Sequence, residues 1–229
     1  MPTVALYEEA KASTVALVAS LSGDDLAQTC RACPAWSIQD VVAHHVHATG
    51  THLNGGLPPV TYSAIVGGDE HERSVAAKER DDWTEAGVVA RRGLPIAAVL
   101  AEWDDVVTGM DDRGAGMALD LVIHLDDIAE TLGRPDPPSS PLRDSVLTGW
   151  YHAFVLPRLA GIRSTVDLLA TDTGRRWGTG AAALVTGSSY DLLRTIASRR
   201  RRTEADRVIG WGNTPDATRG LLPVYGWPT

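Results

Sequence analysis

Apolar side chains recur every three or four positions through residues 3–21. Val4, Leu6, Ala10, Val15, Leu17 and Leu21 gather on one broad face, and Ser22-Gly23-Asp24-Asp25 supplies a stop. The next start signal is more complete. Ser37 suits an N-cap, Asp40 stands at N3, and Trp36 at N′ is placed to staple onto Val41 at N4. This second helix is expected to run to about Leu53 and to stop at Asn54-Gly55-Gly56. From Gly55 to about Trp83 the pattern lapses into glycine, proline and charge, which predicts a long crossover with a short helix near 74–81. Helical spacing returns over Leu94–Val107 and Ala115–Leu132, and Gly133-Arg134-Pro135 closes the last helix.

Asp136-Pro-Pro-Ser-Ser-Pro141 reads as a linker between a helical domain, 1–135, and a smaller one, 142–229. One further helix is expected over 142–160. Thr165–Thr171, the turn Asp172-Thr173-Gly174 and Arg175–Thr179 then predict a β-hairpin. Ala183–Gly187 reads as a short strand feeding a helix over Ser188–Arg200, capped by Ser188 or Ser189. The tail from Gly210, with three prolines and two tryptophans, is expected to be extended and packed on the surface. The fold class is therefore α+β, a helical bundle followed by a small α/β domain.

With 229 residues, 44% of them hydrophobic, the chain can bury a full core. Its formal charge of −8 argues against nucleic acid as a partner. No stretch approaches the roughly 20 apolar residues of a membrane helix. Residues 1–21 carry acidic side chains and no continuous apolar run, so no signal peptide is read there and a cytoplasmic protein is expected. The two cysteines, Cys30 and Cys33, form a C-x-x-C in a turn between helices. With no preceding strand and no second pair, the expectation is an inert turn pair.

The candidate chemistry lies on two helices. Asp120, His124, Asp127 and Thr131 fall along one edge of the stripe Leu121, Leu125, Ile128 and Leu132. Residues four apart share a helical face, so Asp120 and His124 can grip one ion, and a plain Asp–His hydrogen bond would satisfy them too. His44, His45, His47 and His52 crowd the other helix, where periodicity favours His45 as the inward residue and spacing leaves the choice between His44 and His45 open. Two imidazoles and a carboxylate with open positions suit metal catalysis better than structural binding. Arg199 to Arg202 complement a helix C-terminus, unless one of them, Arg199 first, anchors a carboxylate.

The Trp-x7-His segment that opens a capped helix, followed some eighty residues later by acid-x3-His-x2-Asp and Gly-x-Pro, resembles the mycothiol-dependent maleylpyruvate isomerase family of the DinB-like metal enzymes. The resemblance covers most of the chain and extends to Val-Thr-Gly-Ser-Ser-Tyr-Asp-Leu-Leu, residues 185–193. It implies a DinB-like four-helix bundle with His44, Asp120 and His124 as metal ligands and Asp127 as their orienting partner. Three positions depart from the family pattern. Asp120 is shorter than the usual glutamate. His45 replaces an aliphatic residue and becomes a possible ligand or substrate contact. Ser198-Arg199 replaces Gly-Arg.

The resemblance further implies a divalent ion, Zn²⁺ by ligand type with Ni²⁺ or Fe²⁺ as alternatives, and mycothiol as co-substrate. The thiolate would add to an activated double bond, rotation would follow, and elimination would return the other isomer; in a transferase the adduct would leave. Arg199 would hold the carboxylate of a small electrophile. A monomer or weak dimer is expected. The alternatives are a metal-hydroxide hydrolase or cyclase of secondary metabolism, and a non-catalytic metal-binding or sensing protein.

Overall fold

The structure, a computed structural model, describes residues 3–55, 64, 68, 70–112, 114–134, 141–161, 165–180 and 183–228. The chain divides into two compact units, one holding the described helices within 3–55 and 70–134 and the other the described elements from 141 onward.

In the first unit, α1 (Val4–Val18) starts at Thr3, whose hydroxyl accepts from the Leu6 amide. Its buried face is Tyr7, Ala10, Thr14 and Val18. The expected apolar face is half-buried by comparison, with Val4, Leu6, Val15 and Leu17 at its margin. Polar atoms explain the rotation. The Tyr7 hydroxyl lies 2.9 Å from Thr49 Oγ1 and accepts from Trp103 Nε1 at 2.7 Å, and Thr14 Oγ1 donates to the Ala10 carbonyl. Once bonded, both side chains can enter the core. The stop at Ser22 opens a short helix, α2 (Gly23–Leu26), through a capping box with Asp25.

Helix α3 (Ile38–Leu53) begins where the sequence places it. The Asp40 amide donates to Ser37 Oγ at 3.1 Å and the Ser37 amide to Asp40 Oδ2 at 3.0 Å. Apolar residues on several sides, Ile38, Val41, Val42, Val46 and Ala48, are buried, because α3 packs against three helices: α4 (Glu70–Val89), α5 (Ile96–Val106) and α6 (Ala118–Thr131). Helix α1 packs on α6. Helix α4 is far longer than the short helix expected near 74–81. Its sequence hides this, since charged residues dominate and only a few positions such as Ala76, Thr84 and Val88 are buried. A 3₁₀ turn, Gly114–Met117, leads into α6. Gly133, at φ 65°, ends α6 as the Arg134 amide returns to the Ala129 carbonyl.

In the second unit the expected single helix is α7 (Pro141–Trp150), one π-helical turn (Tyr151–Val155) and α8 (Leu156–Gly161). The hairpin forms as read, with β1 (Val166–Ala170) antiparallel to β2 (Arg176–Trp177), while β3 (Ala183–Gly187) joins β1 in parallel on its other side. The buried Asp167 carboxylate stitches the loop after β2, accepting from Arg176 Nε and from the Thr179 and Gly180 amides. Any side chain at Gly178 would strike it, since a Cβ there would lie 2.1 Å from Asp167 Oδ1.

Helix α9 (Ser189–Ile196) is capped by Ser188 and is shorter than expected. It ends because Ser198 turns left-handed at φ 60°, with the Arg199 amide on the Arg194 carbonyl. The tail from Gly210 departs in part from the extended, surface-packed course expected of it. A short helix, α10 (Arg202–Val208), precedes it; within it a second, α11 (Asp216–Arg219), breaks the extended course, and Leu222 and Val224 are buried, each 1% exposed. Residues 136–140 of the linker read at 136–141 and most of the crossover between 56 and 69 lie outside the described residues, while Pro141 already opens α7. Among the described residues no helix is long and apolar enough to cross a membrane.

Candidate metal centre

Asp120 stands in the first turn of α6, and three imidazoles converge on its carboxylate. His44 Nε2 lies 3.1 Å from Oδ2, His124 Nε2 lies 3.6 Å from Oδ1, and His45 Nδ1 lies 4.0 Å from Oδ2. The rings of His44, His45 and His124 stand 5.1–5.4 Å apart, centroid to centroid. All three are buried, while the Asp120 side chain keeps 38% of its surface, so the cluster opens to solvent on the carboxylate side. Burial pushes the Asp120 carboxyl up, but the charge of His124 and the hydrogen bond from His44 outweigh it and hold the group well below the ordinary carboxylate range.

The choice between His44 and His45, open in the sequence, resolves into both. Consecutive residues on α3 reach the same carboxylate because the helix is buried on several sides. His45 lies flat on the Trp103 indole, 5.8 Å between centroids and 12° between planes. Burial, then the charges of His124 and His44, push its imidazole well below the usual histidine range, so the ring is neutral and able to donate a lone pair. Its Nε2 is buried and has no hydrogen-bond partner among the described residues.

Each ring is held from behind. His124 Nδ1 lies 2.9 Å from Oδ2 of Asp127, whose side chain is wholly buried. When the ring is neutral, as a metal ligand must be, a carboxylate there selects the Nδ1–H tautomer and leaves the Nε2 lone pair facing Asp120. Trp36 walls the other side, 5.0 Å from the His44 ring and 6.4 Å from His124. Its Nε1–H donates to Glu85 on α4, Arg92 bridges Glu85 to Asp40, and Asp40 closes the cap of α3. The residue that sets the register of the motif is thus tied to the residues that start the helix.

The donors of His44, His45 and Asp120 lie within 4.8 Å of one another, a spacing that one ion can span with small side-chain adjustments. Neutral nitrogens and a carboxylate match a divalent borderline metal. The unpartnered nitrogen of His45 and the directed lone pair of His124 fit such an ion.

The cysteine turn, expected to be inert, sits against this cluster. Cys33 Sγ is 3.9 Å from His124 Nδ1 and from Asp127 Oδ2. Cys33, His124 and Asp127 form a second group of donors within 4.8 Å of one another. Cys30 is buried, and a hydrogen bond from Cys33 outweighs burial to bring its thiol down to about 6. The available signal is that Cys33 lies three residues before Trp36, which opens the Trp-x7-His segment.

Arg199 belongs to the other unit. Its backbone closes α9 and its Nη1 donates to the Ala197 carbonyl at 3.1 Å. The sequence reading also passed over Tyr190, whose ring is flanked by the guanidinium groups of Arg143, Arg200 and Arg194 at 5.0, 5.4 and 6.0 Å. Arg143 and Arg194 are each 1% exposed, so their charges stack in the interior.

No family description matches the sequence, and no curated protein matches it either. Two solved structures do match in three dimensions. A histidine-to-alanine variant of mycothiol-dependent maleylpyruvate isomerase aligns over 93% of this chain and 93% of its own, at 12% identity and a TM-score of 0.54. A second structure of mycothiol-dependent maleylpyruvate isomerase aligns over the same shares at 12% identity and 0.50. At that identity the agreement is one of backbone course: this chain has the fold of the mycothiol-dependent maleylpyruvate isomerases.

Proposed function

We propose that this chain is a metal-dependent, thiol-using isomerase or S-transferase that works with mycothiol on a small electrophilic, carboxylate-bearing substrate. The convergence of His44, His45 and His124 on the half-exposed Asp120 carries the reading, because three buried imidazoles around one open carboxylate suit an ion with room for a further ligand. In this reading His44, Asp120 and His124 are the ligands, with His45 beside them. Asp127 orients His124 through Nδ1, and Trp36 and Trp103 keep water from two sides of the rings. A divalent ion held there, zinc by donor type with nickel or iron as alternatives, supplies the positive charge that keeps a thiol ionised near neutral pH. The forked guanidinium of Arg199 is the proposed anchor for the substrate carboxylate.

Metal analysis of the purified protein tests the reading first. One equivalent of divalent metal is expected, lost in the His44→Ala, His124→Ala double variant. Mycothiol added to the Co²⁺-substituted protein is then expected to give a thiolate-to-metal absorption band. Full metal retention in the double variant would overturn the ligand assignment. Arg199→Ala is expected to raise KM for a carboxylate substrate more than it lowers kcat.

The position of His45 favours a second reading, a structural ion closed by four protein donors. The Co²⁺ spectrum would then show four-coordination that thiol does not disturb.

A further inference from the structure

Both cysteines lie in one loop that is closed at its base. The Ile38 amide donates to the Gln28 carbonyl at 3.0 Å and the Cys30 amide to the Trp36 carbonyl at 2.7 Å. Inside that loop two turns follow one another, Cys33 N–H to the Cys30 carbonyl at 3.1 Å and Trp36 N–H to the Cys33 carbonyl at 2.8 Å. A hydrogen-bonded turn of this kind holds its first and fourth Cα atoms within about 7 Å. A disulfide spans Cα separations of roughly 4.4–6.8 Å, so the two thiols stand within bridging reach.

The loop lies along the edge of α6 that carries the candidate ligands. The Arg31 amide donates to Thr131 Oγ1 at 3.0 Å, and Thr131 Oγ1 lies 3.9 Å from Cys30 Sγ. One turn back along the helix, Cys33 Sγ meets Asp127 and His124. Cys30 is buried and Cys33 is half-buried, so the two differ in what can reach them.

We propose that Cys30 and Cys33 form a thiol-exchange site for small-molecule disulfides. Cys33 attacks the disulfide R–S–S–R, forming a mixed disulfide and releasing one R–SH. Cys30 then attacks Cys33 Sγ, closing the Cys30–Cys33 bridge and releasing the second R–SH. In sum, two protein thiols are oxidised, one small disulfide is reduced, and the two protein protons leave on the two R–SH molecules. The bridge alters the Cys33 sulfur that lies 3.9 Å from Asp127, the carboxylate that holds His124 Nδ1, and so ties the setting of His124 to the redox state of the loop.

The exchange needs no metal, so its test is independent of the proposed metal centre. The chain has only two cysteines, and intact mass therefore reports each step directly. The whole protein, native and metal-free, is treated with bis(2-hydroxyethyl) disulfide. The wild type is expected to lose two hydrogens and keep no adduct. Cys30→Ala is expected to stop at one hydroxyethylthio adduct, and Cys33→Ala to take up adduct at least tenfold more slowly. In the oxidised wild type the His124 ring resonances are expected to shift from those of the reduced protein. An adduct on Cys33→Ala at the rate of the Cys30→Ala protein would overturn the proposal. So would a native wild type that keeps both thiols under conditions that oxidise its urea-unfolded form.

Discussion

In the proposed centre Asp127 acts through His124 rather than as a ligand, which makes it the sharpest probe of that reading. Its carboxylate is wholly buried and meets His124 Nδ1 at 2.9 Å. Asp127→Asn keeps the shape but loses the charge that selects the ring's tautomer. It is expected to weaken metal binding by about 10–100-fold, read by competition with a chromophoric chelator, with His44, Asp120 and His124 all intact. Two other rings give the metal-free protein an acid limit. Burial, aided by nearby positive charge, lowers the imidazoles of His45 and His47 from their ordinary values. The unfolded chain, with histidine near 6.5, then binds more protons than the fold, so stability is full above about pH 6.5 and falls as the pH drops below it. Urea midpoints at about pH 7.5 and 5.5 should show that loss, and His47→Gln should make it shallower. At this scale Asp120 and His124 were legible because a four-residue helical spacing is a geometric fact. The nearness of Cys33 was not, since it depends on how a loop lies across a helix that begins more than eighty residues later.

Capping decides where the helices begin and end. Ser37→Ala removes the acceptor for the Asp40 amide and is expected to cost about 1 kcal/mol in denaturant unfolding. It should also loosen the start of the helix that bears His44 and His45. At the other unit's helix end, Ser198 holds a left-handed backbone that glycine adopts freely, and its Oγ accepts from the Tyr225 amide at 2.9 Å. Ser198→Ala keeps the strain and loses the bond, with an expected cost of about 1 kcal/mol, checked by the same measurement. The start of α3, the close of α6 and the hairpin were readable because each has strong local punctuation. Helix α4 was not, since its few buried positions sit among charges and only packing against α3 shows which of them face inward. The π-helical turn after Trp150 and the short helices α10 and α11 were equally silent, because partners elsewhere in the unit rather than neighbours in sequence hold them. Arg158 Nη1, for instance, binds the carbonyls of Pro223 and Val224.

For the whole molecule, the two compact units predict an uneven response to metal. Zn²⁺ is expected to slow amide exchange in α3 and α6, which carry the proposed ligands, and to leave β1 and β3 of the other unit unchanged in the same mass-spectrometric experiment. Equal protection of both units would count against the proposed site. The indole of Trp36 adds a further property. Although the chain holds seven tryptophans, this one lies tilted against both His44 and His124, and an imidazole made electron-poor by a proton or a metal accepts an electron from an excited indole. Protonation or ligation of those rings should therefore dim the ultraviolet emission of Trp36, and that part of the signal should be lost in Trp36→Phe, leaving the response of Trp103, which stacks on His45. The residue that walls the site also makes it visible: the protein carries its own fluorescent gauge of the state of its histidines.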